Sequence, residues 1–269
     1  MSTRAPDEPE FYVNYLPVPG RLRRSLRIVV PGVVWLLAGV AGVVALAMRH
    51  PGSGQWAGDE VLLEGVVLSE PWPVLRIVEP DGRTSTVLLV EYGKLGADRA
   101  VAAAGVGGRL ARIRGTIIQR NGRRVLELAP RAGAIEDRGA VAGRREADLP
   151  GPYAWDIRTG PSVTIEGEIV DPKCYLGAMR PGQGEVHRSC ARVCIAGGIP
   201  AGLIWAGVPN ADGTAGREGF CLLLDDQGQP LGERALEWVG RGVEVRGRVE
   251  WWDDLTVLRV DPGGISPLR

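Results

Sequence analysis

Three blocks of this chain recur in the same order, so whatever fold one copy adopts the other should adopt as well. VLLEGVVL around Glu64-Gly65 resembles VTIEGEIV around Glu166-Gly167, and VLLVEYG from Val87 resembles CLLLDDQG from Cys221. RLARIRGTIIQRNGRRVLEL from Arg109 resembles RGVEVRGRVEWWDDLTVLRV from Arg241. In each copy the blocks alternate apolar and polar residues, the period of strands, and Asp81-Gly82 and Asn121-Gly122 are hairpin turn pairs. A short alanine- or leucine-bearing stretch, Asp98–Ala104 in one copy and Glu233–Val239 in the other, can form a helix between the third and fourth strands. Five strands with a helix after the third is the layout of the OB-fold, a small Greek-key barrel. The expected fold is mainly β: two tandem OB-like barrels, at 59–130 and 162–262, joined by a Gly-, Pro- and charge-rich linker over 131–161.

The two copies differ in one place. Gly65 and Val87 lie 22 positions apart but Gly167 and Cys221 lie 54 apart, so the second barrel carries about 32 additional residues between its first and third strands. That insertion, placed at 171–205, holds three of the four cysteines and one of the two histidines: Cys174, His187, Cys190 and Cys194. Loops beside an OB barrel are where its ligands bind, which makes the insertion a functional site or a surface built for a partner.

Ahead of the repeat lies a second constraint. Ile28 to Met48 is 21 residues without a charge, enough for a helix across the roughly 30 Å hydrocarbon core. Arg21, Arg23, Arg24 and Arg27 precede it and only Arg49 follows before Asp59 and Glu60, which predicts a cytoplasmic tail over 1–27, a single-pass anchor over 28–48 and an extracytoplasmic remainder, periplasmic in a bacterium. Pro31 is expected in the first turn, where its missing N–H costs little. Small residues including Ala38 and Gly42 would let another membrane helix approach. Phe11, Tyr12, Tyr15 and Leu16 read as anchors for a partner surface or for the headgroup layer. Lys plus Arg and Asp plus Glu both number 32, which provides no basic surplus for nucleic acid.

The chemistry of the insertion depends on compartment, because thiols oxidise outside the cytosol. One reading makes two disulfides, Cys174 to Cys190 or Cys194 with Cys221 in the other, stabilising a loop that has little core of its own. The other reading makes Cys174, His187, Cys190 and Cys194 a zinc or copper shell, with Met179 as a weak thioether ligand. A binuclear copper centre fails on histidine count, and C-x3-C lacks the spacing of thioredoxin-like redox pairs. No Ser-His-Asp set, paired carboxylates or phosphate loop stands out, so the chain is read as non-catalytic and without a resident cofactor unless the metal reading holds.

The block DPKCYLGAMRPGQGEVHRSCARVCIAGGIP, Asp171 to Pro200, resembles a signature of membrane-anchored extracytoplasmic proteins of bacteria found near respiratory or other electron-transfer components. The plan of one anchor and a β-rich periplasmic part is also similar to accessory subunits of photosynthetic reaction-centre complexes. These resemblances imply a setting: an accessory subunit bracing the periplasmic side of a membrane bioenergetic complex, with other subunits and the lipid bilayer as its partners. The rival expectation is a periplasmic copper, zinc or thiol redox protein that uses the Cys/His loop.

Overall fold

The computed structural model describes residues 18, 20–47, 54–141, 149, 151–206 and 219–268. Phe11, Tyr12, Tyr15 and Leu16 lie outside the described residues. The chain divides into two units, 1–51 and 52–269.

The first unit is α1 (Gly20–Ala47), whose 24-residue stretch Leu22–Ala45 is long and apolar enough to cross a membrane and has no side chain buried within the protein. A single-pass anchor accounts for both properties. The helix begins a full two turns before the uncharged run, taking in the arginines, so Pro31 sits inside it and not in its first turn. There it deletes an i→i−4 hydrogen bond, a defect that membrane helices accommodate by local adjustment. Ala38 and Gly42 are exposed on this helix.

The second unit contains both barrels. In the first, β1 (Gln55–Leu68), β2 (Val74–Val78) and β3 (Thr84–Val90) form an antiparallel meander. The helix α2 (Asp98–Ala104) follows, then β4 (Arg109–Arg120) and β5 (Arg123–Leu128). β5 pairs parallel with β3 and antiparallel with β4, and β4 closes onto β1. The order 1-2-3-5-4-1 with a helix between strands three and four is the OB topology. The β4–β5 hairpin turns on Asn121 and Gly122, both at positive φ, as a two-residue turn of matching twist requires.

The second barrel repeats the order with β7 (Ile157–Val170), β8 (Gly202–Trp205), β9 (Gly219–Leu224), β10 (Gly242–Trp252) and β11 (Leu255–Pro267), closed in the sequence β10-β11-β9-β8-β7. A 3₁₀ turn, Gly232–Ala235, stands where the repeat predicts a helix.

Two boundaries differ from expectation. The segment expected as a linker contains β6 (Ile135–Ala140), which pairs with β4, and its far end already belongs to β7. Leu149 within it is buried among residues of both barrels, and Tyr153 and Trp155 pack there too. These described residues of the segment are held by apolar contacts. The insertion likewise ends sooner than 205, because Gly202–Trp205 is the second strand of the barrel.

Strand parity explains how the barrels join. In β3, Val87 and Leu89 fill the interior of the first barrel while Leu88 and Val90 face outward into a core shared with the second. The same alternation places Val66 and Leu68 outside and Val67 inside in β1, and Leu222 and Leu224 outside with Cys221 and Leu223 inside in β9. Runs of four or five consecutive apolar residues are therefore buried on both faces. Polar groups fix the register of this junction. Arg76, 1% exposed, reaches Thr86 Oγ1 at 2.8 Å and Asp253 Oδ2 at 2.6 Å and lies over the Trp155 ring, while Asp254 Oδ2 accepts the Thr86 N–H at 2.8 Å. Trp72 stacks on Trp252 alongside.

Candidate metal centre

The insertion leaves β7 at Asp171, whose side chain is fully buried. Asp171 Oδ1 accepts the Cys174 N–H at 2.8 Å and its carbonyl accepts the Tyr175 N–H at 3.1 Å, so one aspartate nucleates the helical turn Cys174–Ala178. Tyr175 locks that turn by stacking on Phe220, with the Arg120 guanidinium 4.3 Å above its ring. Gly177 within the turn has φ +149, and a side chain there would meet the backbone of Gly54 and Gln55.

After a glycine- and proline-containing stretch comes α3 (Arg188–Ala196), with His187 at its N-cap. The spacing H-x2-C-x3-C is i, i+3, i+7, which on a helix puts His187, Cys190 and Cys194 on one face. That face meets Cys174. Ligand atoms of Cys174, His187 and Cys190 lie within 4.8 Å of one another, as do those of Asp171, Cys174 and Cys194. Cys174 Sγ stands 3.9 Å from Cys190 Sγ, and His187 Nε2 stands 3.3 Å from Asp171 Oδ2. Cys174, Cys194, His187 and Asp171 are buried and Cys190 is half-buried, so the cluster has one open side.

The first barrel closes that side. Lys94 Nζ lies 2.6 Å from Cys190 Sγ, on the loop between β3 and α2. The loop is held by Gly96 N–H donating to the Gly197 carbonyl at 2.9 Å and by Lys173, whose ammonium donates to the carbonyls of Glu91 and Gly93 and pairs with Glu127. A Cβ on Gly197 would overlap the Lys94 carbonyl, so glycine is what permits the approach.

The electrostatics follow from this crowding. A hydrogen bond between Cys174 and Cys194 favours the neutral form of the first and the anion of the second: the Cys174 thiol is pushed well up, helped by burial and the Asp171 charge, and the Cys194 thiol is pulled down. Lys94 is raised because its ammonium bonds the Cys190 sulfur. Ionising all three sulfurs beside Asp171 would set like charges against one another with one ammonium at the edge. A cation at the centre removes that conflict.

Of the expected site residues, Cys174, His187, Cys190 and Cys194 come together. Cys221 does not: its strand parity turns it into the interior of the second barrel, where burial raises its thiol to about 12. All four cysteines are free thiols, which corrects both expected disulfides. The 3.9 Å separation of Cys174 and Cys190 is far from the roughly 2.05 Å of an S–S bond. Met179 is also outside the cluster, exposed where the turn becomes extended. Asp171 and Lys94 were not among the expected site residues. Asp171 has a local signal, an aspartate three positions ahead of a cysteine as in a capping turn; Lys94 arrives from the other barrel and has none.

No protein-family model and no curated protein matches this chain. Among solved structures, a deletion mutant of the single-stranded DNA binding protein from Thermus aquaticus aligns with 81% of this chain and 89% of its own at 17% identity and a TM-score of 0.20. The OB assignment rests on the strand order of this chain. OB barrels take oligonucleotides on the outer face around strands two and three. In this protein Val74, Leu88, Val90, Ile204, Phe220, Leu222 and Leu224 of those strands are buried in the junction between the barrels.

Proposed function

We propose that this is a membrane-anchored metal-binding protein whose second barrel holds a thiophilic ion, zinc or copper(I), through Cys174, His187 and Cys190, with Cys194 completing the shell. The separation of Cys174 and Cys190 carries the reading. Two sulfurs each about 2.3 Å from a tetrahedral zinc stand about 3.8 Å apart, and the structure has 3.9 Å. The donor set suits a soft or borderline ion, and the buried setting limits exchange with solvent. With the arginine-rich end of α1 in the cytoplasm, the site faces an oxidising compartment, where coordination shields thiolates that would otherwise pair. Nothing in the cluster positions a substrate, so the role is binding or delivery of the ion. The test is elemental analysis of the full chain purified in mild detergent, followed by thiol titration after denaturation with chelator and without reductant. Stoichiometric zinc or copper with every thiol titratable is expected; metal-free protein with paired cysteines refutes the proposal.

A second role is favoured by the burial of both barrels' strand-two and strand-three faces against each other, which joins them into one two-barrel body, and by an apolar helix none of whose described side chains is buried within the protein. Such a body suits an accessory subunit bracing a membrane electron-transfer complex on its periplasmic side. Copurification of other membrane subunits in mild detergent tests it, and a chain recovered alone refutes it.

A further inference from the structure

We infer that Asp171 is the positioning residue of this site, its carboxylate orienting two ligands at once. The inference rests on the metal reading. Asp171 Oδ2 lies 3.3 Å from His187 Nε2 while Oδ1 holds the backbone N–H of Cys174 at 2.8 Å. A carboxylate acceptor selects the tautomer with the proton on Nε2, which leaves the lone pair on Nδ1 as the ligand of this histidine. The same carboxylate, through Cys174 N–H, fixes the turn that carries the first sulfur. Asp171 is wholly buried, and the one ion pair it makes among the described residues is with His187. A buried carboxylate with no lysine or arginine beside it is costly in a protein that binds nothing. Next to an imidazole bound to a cation it is the usual outer partner, and losing that partner typically weakens metal affinity about 10- to 100-fold.

Asparagine keeps an oxygen for the Cys174 N–H and removes the charge that His187 sees, so Asp171→Asn isolates the positioning effect. Zinc affinity is measured by chelator competition on the full chain in detergent, with cobalt(II) as the spectroscopic probe. D171N should weaken zinc about 10- to 100-fold while cobalt keeps its sulfur charge-transfer bands and shifts its ligand-field bands. In the His187→Ala background the same change should have no further effect, because the histidine it orients is gone. An equal loss in both backgrounds overturns the inference, making Asp171 a direct ligand or a packing element, as does an unchanged affinity for D171N. If D171N fails to fold by tryptophan fluorescence, Asp171→Ser, which also keeps an acceptor for Cys174, is put through the same cycle with the same criteria. A wild-type chain that binds neither zinc nor cobalt refutes the metal reading itself.

Discussion

Lys173→Met should destabilise the two-barrel unit by about 3–5 kcal/mol, the usual cost of removing one partner of a buried ion pair. The Lys173 side chain is 4% exposed and that of Glu127 9%. Its ammonium has three protons and three acceptors: Glu127 Oε1 at 2.6 Å, the Glu91 carbonyl at 2.9 Å and the Gly93 carbonyl at 2.6 Å. Methionine keeps most of the apolar stem, so the loss is electrostatic. Glu127 is left as a buried anion without a cation, and two carbonyls lose their donor. Against a typical stability of about 5–15 kcal/mol, this is about a fifth or more. The assay is guanidinium denaturation of the full chain in detergent, followed by fluorescence of Trp72, Trp155 and Trp252, which cluster where the barrels meet. Adding Glu127→Gln to K173M should recover about 2 kcal/mol, because the unpaired charge is gone even though the carbonyls remain bare. A loss below about 1 kcal/mol for K173M, or a double variant no more stable than the single one, would refute the reasoning. Because Glu91 and Gly93 lead directly into Lys94, K173M should also loosen Lys94 from Cys190 and speed metal loss to chelator.

Cys221 gives a pH prediction. Its folded pKa of about 12 lies above the 9.0 of an unburied thiol, so its contribution to stability is whole below pH 9 and falls as the pH rises towards 12, by about 4 kcal/mol in all. Comparison of the wild type with Cys221→Ala across that window isolates this thiol, and parallel curves would show that it does not titrate so. Gly197→Ala should separate α3 from the loop of the first barrel, since the added carbon meets the Lys94 carbonyl, lowering both the melting temperature and metal retention; a variant with native values of both would contradict the close approach. Removing α1 should leave the remainder in the soluble fraction, whereas persistence in carbonate-washed membranes would show a second attachment.

The division between what the sequence specifies and what the tertiary structure adds follows the range of the interactions. The strands in their chain order, the hairpin at Asn121-Gly122 and the helix at Asp98–Ala104 are local properties, set by periodicity and turn chemistry over a dozen residues; the internal repeat carried the strands into the second copy, where the helix shortens to a 3₁₀ turn. The apolar helix is equally local, although its start was not, because arginines extend a helix as readily as they flank one. The helical spacing of His187, Cys190 and Cys194 was in the sequence as well, and implied one shared face. Which partner that face meets was not. Cys174 and Cys221 are both cysteines next to apolar strands; only the closure of the barrel turns one toward α3 and the other into the core. The segment 131–161 reads as a linker because Leu149, Tyr153 and Trp155 follow no strand or helix period and find their burial only in the core shared by the two barrels. Lys94 reaches Cys190 across 96 residues of chain, and Lys173 reaches the Gly93 carbonyl across 80. Such contacts are decided by how two folded bodies dock, and no local pattern carries them.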